Sequence, residues 1–223
     1  ADKGNADVLT GKSIVYTVTG QNVISGVTVS PNGKATASHT ATTATITDIT
    51  DSVTLTVALA SYDHIVTIKA GDISETHYVK GDKDVLSGKP IDYTVSGRKL
   101  ITEATGNACN INVNGTKTAV TVTNITANTT VTVTLVDYQY KVVVQNAGGT
   151  VLQTQYVSAD GKDVLDSSKL VGYTVNGKQL IKEATGEKCV ATASEDKTTV
   201  TVTSINGDAT VTVTLVAYDH IVT

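Results

Sequence analysis

The chain has 223 residues, a formal net charge of −4, no Phe, Trp or Met, and only 2 Pro. No basic stripe is present for nucleic acid, and no run of 18 apolar residues is present to span a membrane. Thr and Val make up about a third of the chain. Branching at Cβ suits a pleated strand and disfavours a helix, and no window shows an apolar 3.6-residue period, so the chain reads as all-β. With Val, Ile, Leu and Tyr as the bulky residues, its cores are expected to be thin and two-layered.

The elements come in the same order three times. Asp7-Val-Leu returns at Asp84 and Asp163. Tyr16-Thr-Val follows, with Lys12 four residues ahead of it. Tyr93-Thr-Val follows Lys89, and Tyr173-Thr-Val follows Lys169, at the same distance. Leu55-Thr-Val-Ala-Leu-Ala-Ser-Tyr62 is then copied more fully from Val131 to Tyr138 and from Val211 to Tyr218. The period of roughly 78 residues is too long for a solenoid unit and suits a small self-contained domain. The expected modules are 1–61, 62–137 and 138–217, followed by a strand at 218–223.

The third repeat spells out the elements. Tyr138–Val144 and Thr150–Val157 form a hairpin across Asn146-Ala-Gly-Gly149. A polar loop, Ser158–Lys162, leads to a strand through Asp163–Leu165. Tyr173–Val175 then meets Asn176-Gly177, a hairpin signal. Thr198–Thr203 and the turn Ser204–Asp208 precede a last strand, Thr210–Val216. There Val211, Val213 and Leu215 face one side and Thr212 and Thr214 the other. By the same alternation Leu55, Val57, Leu59, Val131, Val133 and Leu135 are expected core residues. No Gly/Ser or Pro-rich linker separates the repeats, so their junctions are expected to be stiff.

The order Tyr-x-Val-x-Val, Gly-Gly turn, Gly-Tyr-Thr-Val-Asn-Gly, then Val-Thr-x-Ile and Thr-Val-Thr-Val resembles the small β repeats of bacterial surface proteins. Divergent internalin B-repeat-like and other Ig-like tandem surface modules are the most similar group. Residues 138–216 carry the resemblance most fully, 62–137 nearly as well, and 1–61 only in the second half. The Trp or Phe usual in such repeats is missing. The resemblance implies tandem small Ig-like β-sandwiches in a secreted bacterial or archaeal surface polypeptide, and it carries little about function.

No catalytic constellation is read from the sequence, and the chain is not expected to be an enzyme. His64 and His220 each follow an Asp directly, which in a strand points the two side chains to opposite faces. Calcium is the one cofactor weighed, with Asp82 and Asp84, and Asp160 and Asp163, as its candidate ligands. Each loop offers two or three oxygens where calcium takes six or more, so solvated turns are the preferred reading. Lys12, Lys89 and Lys169, paired with Asp7, Asp84 and Asp163, raise the less favoured idea of a Lys–Asp amide cross-link. Asn114, Asn124 and Asn128 head glycosylation-type triplets. Cys109 and Cys189 hold equivalent places in two repeats and are expected to be free, buried thiols rather than one bridge.

Three function classes compete. The favoured one is an extracellular structural protein, a subunit of a surface filament or surface layer whose partner is itself. The second is the stalk or ligand-binding repeats of an adhesin, with carbohydrate or a host protein as target. The third is accessory modules of a larger secreted enzyme. The missing aromatic platform weakens sugar binding, and the missing acid pair weakens catalysis. The subunit interface is expected at Tyr218, Asp219, His220, Ile221, Val222 and Thr223. These residues repeat Tyr62–Thr67, the first strand of the second repeat's hairpin. The first repeat has no such hairpin in sequence, so residues 218–223 of one subunit are expected to add to its sheet edge in the next.

Overall fold

Repetition in the sequence becomes repetition in the backbone. The computed structural model describes residue 7 and residues 13–219, and no helix occurs among them. The first repeat holds β1 (Ile14–Thr17), β2 (Asn22–Ser30), β3 (Thr36–His39), β4 (Thr43–Thr47) and β5 (Thr54–Ser61). The second holds β6 (His64–Ala70), β7 (Ile73–Lys80), β8 (Lys83–Asp84), β9 (Ile91–Thr94), β10 (Lys99–Thr105), β11 (Asn110–Val113), β12 (Ala119–Thr123) and β13 (Thr129–Asp137). The third holds β14 (Tyr140–Asn146), β15 (Val151–Val157), β16 (Gly172–Thr174), β17 (Gln179–Glu187), β18 (Val190–Ala193), β19 (Thr199–Thr203) and β20 (Ala209–Ala217).

Two compact units divide the chain. One takes the described residues up to Thr94 together with Glu103–Thr134, and the other takes Val95–Thr102 with Leu135 onward. Within the first unit, β1-β4-β3 form one sheet and β2 pairs with β5 in another. The second repeat has a sheet ordered β11-β12-β9 and a sheet ordered β10-β13-β6-β7-β8. In the second unit the orders are β16-β19-β18 and β15-β14-β20-β17. The opening strand of a repeat lies parallel to its closing strand, Val66–Ala70 beside Thr129–Val133 and Val142–Asn146 beside Ala209–Val213.

Alternation fills the cores. Val211 and Val213 are fully buried, as are Val131 and, nearly, Val133, while the threonines between them point outward. In the third repeat one buried cluster draws Val142, Val144 and Val211 from the larger sheet and Tyr173, Val200 and Val202 from the smaller. Cross-sheet burial of this kind, about 1.5–3 kcal/mol for each large apolar side chain, is the main force holding the two sheets together. Leu135 and Leu215, at the far ends of their strands, are only half-buried. The core expectation fails in the first repeat: Leu55 and Val57 are half-buried and Leu59 is 47% exposed.

Two local expectations are corrected. Asn176-Gly177 does not turn a hairpin, because β16 and β17 belong to different sheets; Gly177, at φ 72°, turns the chain from one sheet to the other. Asp163–Leu165 is no strand either. The Asp163 carboxylate accepts the N–H groups of Leu165 (2.8 Å) and Asp166 (3.1 Å), closing an Asx turn. The crossing back between sheets also repeats. Asp48, Asn124 and Ser204, each directly after the middle strand of a three-stranded sheet, adopt positive φ of 53°, 51° and 51°. Short polar side chains tolerate that conformation better than β-branched ones.

Candidate functional site

The geometry that recurs most faithfully lies at the neck of each repeat. A glycine at positive φ (Gly20 73°, Gly97 72°, Gly177 72°) precedes a long polar residue, Gln21, Arg98 or Lys178. The carbonyl of that residue accepts the N–H of a tyrosine: Tyr62 to Gln21 at 3.1 Å, Tyr138 to Arg98 at 3.0 Å, and Tyr218 to Lys178 at 3.1 Å. The side chain of the same residue donates to the next carbonyl: Gln21 Nε2 to Asp63 O at 3.2 Å, Arg98 Nη1 to Gln139 O at 2.6 Å, Lys178 Nζ to Asp219 O at 3.1 Å. Each neck thus grips a Tyr-x dipeptide by main chain and side chain together. The first lies in the first compact unit and the other two in the second.

The gripped dipeptide leads into a hairpin. Asp63 N–H donates to Val79 O and Gln139 N–H to Val157 O, both at 2.8 Å. The second amide of the new strand is capped by the loop ahead of the closing strand: Ile65 N–H to Asn128 Oδ1 at 2.8 Å, and Lys141 N–H to Asp208 Oδ1 at 3.0 Å. The gripped tyrosines pack against a hairpin partner, Tyr62 on Tyr78 with centroids 5.0 Å apart and Tyr138 on Tyr156 at 4.8 Å. Such tilted pairs add about 0.5–1.5 kcal/mol beyond area burial.

The neck at Arg98 carries more charge than the others. Its guanidinium lies over the Tyr138 ring, 5.8 Å from the centroid. It also grips Asp208 through both nitrogens. The Arg98 side chain and the Lys141 amide hold the Asp208 carboxyl below its ordinary value. Asp208 in turn raises Arg98.

The aspartates weighed as calcium ligands are engaged by the protein itself. Asp82 Oδ1 accepts Ile125 N–H at 3.1 Å. Asp84 Oδ1 accepts the N–H groups of Leu86 (2.9 Å) and Ser87 (2.8 Å), the same Asx turn that Asp163 makes. Burial works to raise the Asp84 carboxyl, but the Ser87 and Leu86 amides and His77 outweigh it, so it titrates below the usual range. Asp160 accepts Ser158 Oγ–H and meets Lys162 Nζ at 3.3 Å. Among the described residues no group of three or more His, Cys, Asp or Glu side chains is placed to hold a metal ion. At Asp84 and Asp163, Asp-Val-Leu is therefore a turn motif: the carboxylate satisfies two amides of its own loop.

Lys89 and Lys169 are exposed, and it is the Lys89 carbonyl, not its amine, that meets Asp84 through the Asp84 N–H (2.9 Å). Cys109 and Cys189 are free and half-buried, and burial raises the Cys189 thiol. Asn114 and Asn128 use their side chains on backbone amides of Thr118 and Ile65. Of the expected interface residues, Tyr218 and Asp219 sit at the third neck; His220, Ile221, Val222 and Thr223 lie outside the described residues.

Two constellations escaped sequence reasoning. The neck had a signal, a glycine followed by a long polar residue at 20–21, 97–98 and 177–178, but the sequence shows nothing of what such a residue grips. The second is His77, whose Nδ1 meets Asp84 Oδ2 at 3.2 Å across the β7–β8 turn. Its Nε2 is buried without a hydrogen-bond partner, 3.8 Å from Glu75 Oε2. A nitrogen so enclosed cannot reach a substrate. Gln155, its counterpart in the third repeat, bridges Leu170 O (2.8 Å) and Gly172 N–H (2.7 Å), a structural role.

No protein-family model and no curated protein matches this chain.

Proposed function

We propose that the chain is an extracellular structural protein made of three Ig-like β-sandwich modules, one subunit of a surface filament or surface layer that grows head-to-tail by β-strand addition. The observation that carries this reading is the neck at Lys178. Gln21 grips Tyr62-Asp63 where β6 starts, and Arg98 grips Tyr138-Gln139 where β14 starts. Lys178 grips Tyr218-Asp219 in the same way. The sequence that continues from there, His220-Ile-Val-Thr223, is that of His64-Ile-Val-Thr67. A strand launched from one copy into the next makes a heterologous contact that does not close, and such contacts build open filaments. The Thr-rich, Met-free and Trp-free composition supports a surface setting, and the absence of an aromatic platform favours structure over sugar binding.

The test compares the intact chain with a variant lacking residues 218–223, by light scattering over a concentration series and by negative-stain imaging. The intact chain should associate into linear assemblies, and the truncated chain should stay monomeric. A strictly monomeric intact chain at high concentration, or a truncated chain that assembles normally, overturns the reading.

A further inference from the structure

In the second and third repeats the opening and closing strands lie side by side and run the same way. Val66–Ala70 of β6 is in register with Thr129–Val133 of β13, and Val142–Asn146 of β14 with Ala209–Val213 of β20. The chain enters each repeat at the start of its opening strand and leaves at the end of its closing strand. Because the two strands are parallel, these points lie at opposite ends of the pair. A pull along the chain therefore drags the two strands in opposite directions along their own axes.

That is the direction a β ladder resists best. The hydrogen bonds of a parallel pair are evenly spaced along the strands. A pull along the axis loads them together, whereas a pull across it breaks them one after another. The closing strand is also the middle one in β10-β13-β6 and in β14-β20-β17, so sliding it out breaks a ladder on each edge. In the third repeat the second ladder registers β20 against β17 from Gln179 to Glu187. Side chains bridge the parallel pairs as well. Asn128 Oδ1 accepts Ile65 N–H at 2.8 Å, Asp208 Oδ1 accepts Lys141 N–H at 3.0 Å, and Gln145 Nε2 donates to Thr212 Oγ1 at 3.3 Å. Val142, Val144, Val211 and Val213 are at most 1% exposed, so a slip along the axis also drags apolar side chains out of the core.

We infer that the second and third repeats are tension-bearing modules, each locked by a parallel clamp between its entry and exit strands. Force crosses from β6 to β13, or from β14 to β20, without passing through the rest of the repeat. The β14–β15 hairpin, antiparallel and closed by the Asn146–Gly149 turn, lies off that path. The inference goes beyond head-to-tail assembly and does not depend on it. A clamp loaded through its own chain behaves alike whether the pull comes from a neighbouring copy or from any other attachment.

The experiment is single-molecule force spectroscopy on the full chain, with Cys109 and Cys189 replaced by Ser so that handles attach only where intended. Handles at the two chain ends load both clamps along their strands. Handles on Ala147→Cys and Ala217→Cys, both exposed and at the same end of the β14–β20 pair, peel that pair apart instead. At equal loading rate the end-to-end pull should unfold the second and third repeats in separate steps, each lengthening the chain by roughly 200–250 Å. The force of those steps should be several-fold above that of the peel. Forced unfolding follows the unfolding barrier and not the equilibrium stability. Asp208→Ala, which removes a bond across the clamp, should therefore lower the end-to-end force of the third repeat. Gly149→Ala, in the turn off the load path, should leave that force unchanged while lowering the melting temperature. Equal forces in the two pulling directions overturn the inference, as does a loss of force in Gly149→Ala as large as that in Asp208→Ala. A chain that never self-associates counts against the filament reading alone, and equal forces count against the clamp alone.

Discussion

Arg98 and Asp208, 110 positions apart in the chain, meet as a two-pronged pair, Nη1 to Oδ1 at 2.7 Å and Nη2 to Oδ2 at 3.0 Å. The same Asp208 oxygen caps the Lys141 amide, and the same Arg98 nitrogen reaches the Gln139 carbonyl. One exposed ion pair thereby ties the neck to the first strand of the third repeat's hairpin. Both partners are about half exposed, so solvent screens the charge part of the contact and the backbone cap matters more.

Asp208→Ala should therefore cost more than Arg98→Gln. The alanine removes the cap on Lys141 N–H, worth about 1 kcal/mol. Asp208→Asn keeps an oxygen acceptor and should recover most of that loss. Amide exchange at Lys141 and urea unfolding check the order. Equal losses in Asp208→Ala and Asp208→Asn would show that charge, not capping, dominates.

Acid should loosen the β8 turn. The Asp84 carboxyl titrates below its unfolded value of about 3.9, so its stabilisation is fully present above that pH and is lost as pH falls through the folded value. Asp84→Ala leaves the Leu86 and Ser87 amides without their acceptor and should cost about 1–3 kcal/mol at neutral pH. It should also flatten the loss of stability between pH 5 and pH 2, as denaturant midpoints across about that range will show.

Facing should decide the fate of an aspartate. Val133 is 2% exposed and its neighbour Thr132 lies on the solvent side. Val133→Asp should cost on the order of 3–5 kcal/mol by burying an unpaired charge, and Thr132→Asp well under 1 kcal/mol. Val57→Asp, at the half-buried counterpart in the first repeat, should cost about 1 kcal/mol. Hydrogen exchange resolved by strand separates the three variants.

Gly172 should tolerate no side chain. It adopts φ 152°, and a Cβ there would lie 1.8 Å from the Val200 carbonyl oxygen. Gly172→Ala should cost about 3 kcal/mol or more, through a clash with backbone that cannot move aside. Gly149→Ala, at φ 83° in the β14–β15 turn with open space around its Cβ, should cost only about 1 kcal/mol. Matching melting temperatures for the two variants would contradict this assignment.

Much was legible before any coordinates. Thr/Val alternation specifies strands and the buried side of β13 and β20, because a period of two leaves one face apolar wherever the strand lands. The Asn146-Ala-Gly-Gly149 hairpin was legible too, since Gly149 has the positive φ such a turn needs. Asn176-Gly177 misled, because the same dipeptide chemistry serves a crossing between sheets as well as a hairpin, and local sequence does not say which strand comes next to β16. Tertiary structure alone decided that β6 lies parallel to β13 and β14 to β20, since parallel pairing joins segments far apart in the chain. It decided that Asp84 and Asp163 serve their own turns, because an aspartate's role depends on which amides come within reach of its oxygens. It also decided that Tyr16 is exposed where Tyr93 and Tyr173 are buried. Three copies of Tyr-Thr-Val read alike along the chain, but burial belongs to the strands packed over a residue, and those come from elsewhere in the fold.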